Sequence, residues 1–278
     1  MFRMPSLEDV AEIMRETADA VIMPRYKALA DGEVSEKTGP KDLVTIADIE
    51  SEHRMTPLLK ALLPGSVVIG EEAASENPAI FDLLKGDAPV WIIDPVDGTS
   101  NFAKGDRYFC VMVGLVRGGE TLMGVILDPL GARWVGAEKG AGAWSHDFAG
   151  GEAIRLSTLL GSAPIEMRGA INFRFLESPL KEDMRARAND GVAHHYRLGC
   201  AGHEYLRMAK GEAHFAMYIK KMPWDHVPGC LIHAEAGGHQ ACFDGTPYRP
   251  HELDRGILAA PDPESWRALH TVLFGGTV

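Results

Sequence analysis

The spacing of apolar residues predicts a helical region at the start of the chain. Apolar positions recur with helical period after Ser6, and Asp9 stands where a capping box would place it. A first helix is therefore predicted over residues 7–30, with a kink at Pro24. A second helix is predicted over residues 48–63.

Short apolar runs come next and predict strands at 66–70 and 90–93. Further apolar runs, separated by glycine-rich turns, predict strands at 108–116, 121–127 and 133–137, which is typical of an antiparallel meander. Beyond Gly150 short strands alternate with helices, which is typical of an α/β layer. Strands are predicted near 171 and at 196–198, 213–219, 240–243 and 257–260, and helices at 178–189, 201–210, 226–236 and 263–273. We therefore expect an α+β half over residues 1–150 and an α/β half over residues 151–278.

The stretch from Trp91 to Phe102, WIIDPVDGTSNF, places two carboxylates where a buried strand ends. Pro95 favours an extended backbone at Asp94, and Gly98 allows a positive φ just after Asp97, so both side chains can point into one small space. Like charges this close repel, and a hard cation such as Mg²⁺ removes the conflict. Asp-Pro and Asp-Gly alone usually mark a β-turn. The polar residues that follow in the same frame favour a metal site.

This frame resembles the DPxDGTxNF signature of the Mg²⁺-dependent inositol monophosphatase family. Residues 37–48 resemble the family segment K-x-x-x-x-DLVTxxD, and residues 224–238 resemble its second signature, WDxxxGxxxxxEAGG. The resemblance extends over about residues 7–258 and implies a layered α-β-α-β-α sandwich of α+β and α/β character, as in fructose bisphosphatases. It also implies two or three Mg²⁺ ions per subunit, inhibition by Li⁺ and a homodimer.

The same resemblance implies a role for particular residues. The metal ligands would be Glu71, Asp94, the Val96 carbonyl, Asp97 and Asp225. Asp48 and Thr99, with Glu71, would activate the water molecule that attacks phosphorus. Phosphate and substrate contacts are implied for Asp97, Gly98, Thr99, Ser100, Gly199, Cys200, Ala201, Tyr218 and Asp225. The active site would then lie between the two halves of the chain.

Each of these residues has a simpler explanation when it is taken alone. A Glu-Glu pair such as Glu71 and Glu72 is usually solvated surface charge. Asp48 and Asp225 would serve equally well as helix caps. The small residues 199–202 would also suit a tightly packed turn between a strand and a helix. Only their order and spacing within the family motifs favour the functional assignment.

Substrate identity is where the resemblance weakens. Inositol-specific members commonly carry a glutamate seven residues before the aspartate of the second signature, and this chain has Tyr218 there. Lys220 and Lys221 follow, and they would suit a second anionic group on the substrate, although a solvated pair is the simpler explanation. Inositol 1-phosphate is the first expectation; histidinol phosphate, fructose bisphosphate and 3′-phosphoadenosine 5′-phosphate stay open. A phosphate-binding regulatory protein without turnover is the alternative of a different class.

Composition limits the classes of binding partner and the location that we expect for this protein. The formal net charge of −11 argues against a nucleic-acid surface. It is no obstacle to the small phosphorylated metabolite that the resemblance implies as partner, if bound cations reverse the local field. No apolar run approaches the roughly 20 residues that cross a bilayer, and the N-terminal segment lacks the basic and apolar regions of a signal peptide, so a cytoplasmic location is expected.

The 11 histidines have no zinc-motif spacing. Four scattered cysteines, read as reduced and mostly structural, are Cys110, Cys200, Cys230 and Cys242.

Overall fold

A computed structural model describes residues 3–39, 42–254 and 256–276. Pro40 and Lys41, inside the segment 37–48, lie outside the described residues. The helices of the described part are α1 Leu7–Thr17, α2 Ile46–Leu62, α3 Glu71–Glu76, α4 Thr99–Ala103, α5 Leu180–Gly191, α6 Ala201–Ala209, α7 Pro223–Glu235 and α8 Pro263–Phe274. The strands are β1 Val34–Gly39, β2 Asp42–Thr45, β3 Val67–Gly70, β4 Val90–Asp97, β5 Cys110–Arg117, β6 Glu120–Asp128, β7 Arg133–Glu138, β8 Ala143–Asp147, β9 Ile154–Arg155, β10 Arg168–Ile171, β11 His194–Tyr196, β12 Phe215–Tyr218, β13 His239–Cys242 and β14 Ile257–Ala260.

The first helix is shorter than the predicted span of residues 7–30. Its cap is confirmed, because the Ser6 hydroxyl accepts the N–H of Asp9 at 3.1 Å. Regular α-helix ends at Thr17, and the chain continues as a π-helical turn at Ala18–Ile22 and a 3₁₀ turn at Met23–Arg25. Pro24 has no N–H to donate four residues back, so the α-helical ladder cannot pass through it.

Seven strands form the first sheet, in the order β3 to β9 along the chain. β3 and β4 are parallel, and each later pair of neighbours is antiparallel. The antiparallel meander predicted over residues 108–137 is confirmed. All of β4 is buried, and its side chains pack alternately into two hydrophobic cores on opposite faces of the sheet. Trp91 and Ile93 pack with residues of α1 and α2, whereas Val90 and Ile92 pack with Trp224 and Val227 of α7.

Five strands form the second sheet, in the order β11-β10-β12-β14-β13. β10 is parallel to both β11 and β12, and β14 is antiparallel to β12 and β13. One face of the sheet packs on α5 and α8, through residues such as Met184 and Leu269. Its other face packs on α6 and α7, through residues such as Tyr205 and Ile232.

These contacts arrange the molecule in five layers. α1 and α2 cover one face of the first sheet, α6 and α7 lie between the two sheets, and α5 and α8 cover the second sheet. The predicted α-β-α-β-α sandwich is confirmed. Strands of the first sheet extend to Arg155, and those of the second sheet begin at Arg168. The predicted division of the chain at residue 150 stays a prediction.

Glycine allows α7 to lie directly on the first sheet. A Cβ at Gly124 of β6 would be 2.7 Å from the carbonyl oxygen of Pro228 and 2.8 Å from its Cα. Pro228 is in the second turn of α7, because the helix begins at Pro223. The close contact fixes the depth of the helix that carries Asp225.

Three further segments differ from the sequence-based expectation. The strand predicted at 196–198 is His194–Tyr196, and the helix predicted at 226–236 begins at Pro223. Residues after β3 form a helix, Glu71–Glu76, that the short polar sequence did not indicate. Among the described residues, none of the helices combines the length and the apolar character that a membrane crossing requires.

Candidate active site

The end of β4 aims two carboxylates in one direction. Its pairing with β5 shifts register between Asp94 and Asp97, and Gly98 follows with a left-handed φ of 88°. The N–H of Val96 donates to Asp94 Oδ1 at 3.1 Å, which fixes that side chain over the turn. Gly98 has a second constraint, because a Cβ there would lie 2.6 Å from the Tyr108 carbonyl oxygen.

Asp225, from the first turn of α7, meets the two aspartates of β4. Ligand oxygens of Asp94, Asp97 and Asp225 all lie within 4.8 Å of one another. Burial raises the pKa of Asp94 well above its usual range, and the charges of Glu71, Asp97 and Asp225 raise it further. Burial and the charges of Asp97 and Glu71 raise the pKa of Asp225 in the same way. All three donors are hard carboxylate oxygens, so the set fits Mg²⁺.

Glu71 lies beside this cluster but outside the set of three. It begins α3, and its Oε1 accepts from Lys37 Nζ at 2.9 Å. The same Lys37 nitrogen donates to Glu72 Oε1 at 2.7 Å. Burial and the charge of Glu71 raise the pKa of Glu72 to about 8. This pair is therefore a partly buried ion-pair network and not the solvated surface charge that the dipeptide alone suggests.

Asp48 both caps a helix and contacts Thr99, which are the two roles that the sequence left open. Its Oδ2 accepts from Thr45 N–H at 2.8 Å and from Thr45 Oγ1 at 2.5 Å, which closes a capping box on α2. Its Oδ1 accepts from Thr99 Oγ1 at 3.1 Å. Burial raises the pKa of Asp48 to about 7, against the lowering effect of the Thr45 hydrogen bonds. The Val96 carbonyl, predicted to bind metal, also accepts from Thr99 Oγ1 at 3.1 Å.

The start of α6 reaches the cluster through Asp97. Asp97 Oδ2 accepts from the N–H of Gly202 at 2.6 Å and from Cys200 Sγ at 3.0 Å. Asn101 ties this turn to the signature segment, because its amide nitrogen donates to the carbonyls of Tyr108 at 2.7 Å and Leu198 at 2.9 Å. Two segments that are distant in sequence are thereby brought together.

Two adjoining cavities open over these residues. The first has a volume of about 440 Å³ and reaches Glu71, Asp97 and Asp225, and its wall includes the predicted substrate contacts Gly199, Cys200, Ala201 and Tyr218. The second has a volume of about 490 Å³ and is lined by Gly98, Thr99, Ser100, Asn101 and Gly199. Every predicted contact residue borders one of the cavities. Their binding roles stay predictions.

Basic and aromatic side chains complete the first cavity. Three of them, Lys37, Lys220 and Trp224, stand in or beside the motifs that the sequence indicated, and four were missed, namely Arg174, Arg197, Phe81 and Phe175. The rings of Phe81 and Trp224 stack with centroids 5.9 Å apart. Arg197 directly precedes the Leu198–Gly202 segment, and that position was the available signal for it. No local pattern marks Phe81 or Arg174, because both reach the cavity from other parts of the chain.

Tyr218 and the two lysines occupy different environments. The Tyr218 ring stacks on Tyr205 at 5.2 Å, and its hydroxyl has no hydrogen-bond partner within the described part of the chain. Lys220 is exposed at the cavity, with its Nζ 4.3 Å from the Phe175 ring centroid. Lys221 is only 1% exposed and donates to Cys242 Sγ at 3.5 Å. The interpretation of Lys220 and Lys221 as a solvated pair was wrong for Lys221.

Hard oxygen ligands beside basic side chains are typical of metal-assisted hydrolases of phosphate esters. The profile of the inositol monophosphatase family matches residues 6–274, and the chain belongs to this family. Proteins of the family hydrolyse phosphate monoesters, so the chain belongs to a class of phosphatases.

Individual relatives agree with the family assignment. The chain is 28% identical to the inositol-1-monophosphatase of Bacillus subtilis over 263 residues, 94% of this chain and 92% of the relative. It is 32% identical to a fructose-1,6-bisphosphatase/inositol-1-monophosphatase of Thermotoga maritima over 216 residues, 76% of each. A solved Thermotoga maritima IMPase superposes with a TM-score of 0.79 at 25% identity, covering 97% of this chain and 98% of the other. The SuhB protein of Bartonella henselae shares the fold, with a TM-score of 0.82 at 22% identity and coverage of 97% and 98%.

Proposed function

We propose that this chain hydrolyses phosphate monoesters of the inositol 1-phosphate type with the help of bound Mg²⁺. The observation that carries the proposal is the meeting of Asp94, Asp97 and Asp225, whose oxygens lie within 4.8 Å of one another beside a cavity with basic side chains. Glu71 and the Val96 carbonyl would complete the ligand set. Bound divalent cations would neutralise phosphate charge and lower the pKa of a water molecule.

The residues of the chain have separate tasks in this proposal. Thr99 and Asp48 hold a hydrogen bond of 3.1 Å, which positions a hydroxyl and a carboxylate to orient the attacking water and take its proton. A pKa of about 7 for Asp48 suits proton transfer near neutral pH. Gly98, Thr99 and Ser100 line the cavity where the phosphate group would lie.

Replacement of one cluster carboxylate tests the proposal. We expect Asp94→Asn to lower kcat for phosphate release by at least about 100-fold, since loss of even an indirect metal partner costs about 10–100-fold. Mg²⁺-dependent phosphate release is measured for myo-inositol 1-phosphate and a broad panel of monoesters. Asp19→Asn, an exposed change on the N-terminal helical segment, is the control.

The panel also separates turnover from binding. Release of phosphate that requires Mg²⁺ and disappears in Asp94→Asn supports the proposal. Metal and ligand binding without turnover on any monoester would favour the regulatory alternative. Inhibition by Li⁺ is a further expectation of the family, and full activity at high Li⁺ would count against a typical member.

A second candidate substrate class is favoured by the cavity wall. Arg174, Arg197 and Lys220 line the cavity, and Tyr218 stands where inositol-specific members commonly carry a glutamate. Positive groups favour an alcohol portion that itself carries an anionic group, as in fructose bisphosphate or 3′-phosphoadenosine 5′-phosphate. Lys220 is exposed, and its charge opposes the burial that raises the pKa of Asp225.

Lys220→Ala separates the two substrate classes. If a second anionic group contacts Lys220, we expect KM to rise about tenfold for a bisphosphate and to change little for myo-inositol 1-phosphate, since a hydrogen bond to a charged group contributes about 1.5–3 kcal/mol. Lys210→Ala, which removes an exposed lysine at the end of α6, is the control. Equal changes of KM for both substrates would contradict a second-anion contact.

A further inference from the structure

Two thiols that are distant in sequence meet beside Asp97. Cys110 begins β5 and Cys200 precedes α6, yet their sulfur atoms are 3.7 Å apart. Asp97 Oδ2 lies 3.6 Å from Cys110 Sγ and 3.0 Å from Cys200 Sγ. Both thiols are buried and reduced. The scattered positions of these cysteines in the sequence did not indicate the pair.

The three distances are close to those of a tetrahedral site for a thiophilic ion. Zinc binds thiolate sulfur at about 2.3 Å and carboxylate oxygen at about 2.0–2.2 Å, which separates two sulfurs by about 3.8 Å and a sulfur from an oxygen by about 3.5 Å. The 3.7 Å sulfur separation and the 3.6 Å distance from Cys110 to Asp97 match these values. Only the 3.0 Å distance from Cys200 is shorter, by about half an ångström, and it corresponds to a hydrogen bond that an ion would replace.

The surroundings of the two thiols are closely packed and carry negative charge. Gly202 faces the pair, and a Cβ there would lie 2.3 Å from Cys110 Sγ and 3.3 Å from Asp97 Oδ2. Cys200 borders the cavity, which provides a path from solvent. The oxygens of Asp94 and Asp225 lie within 4.8 Å of Asp97 and add negative charge.

We propose that Cys110, Cys200 and Asp97 form a binding site for a thiophilic divalent cation such as Zn²⁺ or Cd²⁺. Binding releases the two thiol protons to solvent, and a water molecule supplies the fourth ligand. Mg²⁺ avoids sulfur ligands, so this site and the carboxylate cluster select different ions. The two sites share Asp97, and an ion on the thiols therefore draws this carboxylate away from the cluster.

The remaining cysteines provide matched controls. Cys230 and Cys242 are buried as well, but Cys230 Sγ contacts the Tyr205 hydroxyl at 3.3 Å and Cys242 Sγ contacts Lys221 Nζ at 3.5 Å. Neither belongs to a group of metal-ligating residues within the described part of the chain.

Titration of the full chain with Cd²⁺ in excess Mg²⁺ tests the site directly. The readouts are thiolate-to-cadmium charge-transfer absorbance in the ultraviolet and bound cadmium per chain. We expect one Cd²⁺ per chain in the wild type, in Cys230→Ser and in Cys242→Ser. We expect at least a tenfold loss of Cd²⁺ affinity in Cys110→Ser and in Cys200→Ser.

Two results would overturn the proposal: no charge-transfer absorbance in the wild type, or equal Cd²⁺ affinity in wild type, Cys110→Ser and Cys200→Ser. A disulfide between Cys110 and Cys200 in the purified protein would also overturn it. A serine variant that lacks a cooperative thermal transition is replaced by the alanine variant. Inhibition of phosphate release by an ion that draws Asp97 away from the carboxylate cluster rests on the proposed phosphatase function. If no monoester is hydrolysed, that function fails, whereas the absorbance still decides the metal site.

Discussion

Buried carboxyl groups in this molecule have specific hydrogen-bond partners that are distant in sequence. A single oxygen of Asp97, Oδ2, accepts hydrogen bonds from the N–H of Gly202 and the thiol of Cys200. Glu204, on the next turn of α6, is 4% exposed, and its Oε1 accepts the N–H of Leu198 at 2.9 Å. Neither group could be assigned an environment from its neighbours in sequence.

Glu204 gives a pH-dependent prediction. Burial raises the pKa of Glu204 from 4.5 to about 7, although the N–H of Leu198 acts in the opposite direction. A carboxyl with a raised pKa binds more protons in the folded state, so its contribution to stability is complete below about pH 4.5 and is lost as the pH rises through about 7. A difference of this size corresponds to about 3 kcal/mol at most.

Glu204→Gln keeps the acceptor oxygen for Leu198 but cannot ionise. We expect the variant to exceed the wild type in free energy of unfolding by up to about 3 kcal/mol at about pH 8, and to differ little at about pH 4.5. Urea unfolding at both pH values measures the effect. Glu212→Gln replaces an exposed glutamate just after the same helix and controls for the loss of charge. A constant difference at the two pH values would contradict a buried, titrating Glu204.

At the level of secondary structure, two elements form the candidate site by packing against each other. β4 carries Asp94 and Asp97 at its end, and α7 carries Asp225 in its first turn. Gly114 and Gly124 allow α7 to approach the sheet, because a Cβ at either would clash with α7, at Val227 or at Pro228. The distance between the carboxylates therefore depends on residues with no functional groups.

Gly124→Ala should disturb this packing. The added Cβ would lie 2.8 Å from Pro228 Cα, a backbone atom that cannot rotate away. We expect a loss of about 1–3 kcal/mol in the free energy of unfolding, the usual cost of overpacking. Phosphatase kcat should fall as well, because α7 carries Asp225.

Chemical denaturation and Mg²⁺-dependent phosphate release measure the two effects. Gly86→Ala is the control, since its nearest atom would be the Leu83 carbonyl oxygen at an ordinary 3.5 Å. If Gly124→Ala were as stable as Gly86→Ala, the close packing of α7 on the sheet would not limit stability.

At the level of the whole molecule, one segment exposes several large apolar side chains. Ile154 is 54% exposed, Leu160 is 89% exposed and Ile165 is 58% exposed. β9, which contains Ile154, is the edge strand of the seven-stranded sheet. Exposed large apolar side chains can mark a protein–protein contact when they form a patch. This segment is our candidate for the contact of the expected homodimer.

Leu160→Glu tests that contact. A charge in this segment should be costly to bury, so we expect the variant to shift from dimer to monomer in light scattering coupled to size exclusion. Leu130→Glu changes an apolar side chain that is 38% exposed in a turn, and it should not alter the mass. A monomeric wild type would contradict the expected homodimer, and an unchanged dimer in Leu160→Glu would place the contact elsewhere.

Sequence patterns anticipated most of the elements around the site. The apolar run Val90–Ile93 predicted β4, because a short β-favouring run that ends in Asp-Pro leaves few alternatives. The cap at Ser6 was also predicted, since its hydrogen bond joins residues three apart. The predicted end of the first helix was wrong: only a kink was expected at Pro24, whereas the chain leaves α-helical geometry after Thr17, and apolar spacing does not distinguish an α-helix from the π-helical turn that follows.

The sequence by itself determined the layered fold class, the family and the order of the candidate ligands, because each motif is a local pattern with a fixed spacing. Only the tertiary structure decided which distant groups meet. It paired Cys110 with Cys200, buried Lys221, and brought Arg174 and Phe81 to the cavity. Such contacts depend on how the sheets and helices pack across the chain. Local periodicity carries no information about that packing, since it describes only neighbours along the sequence.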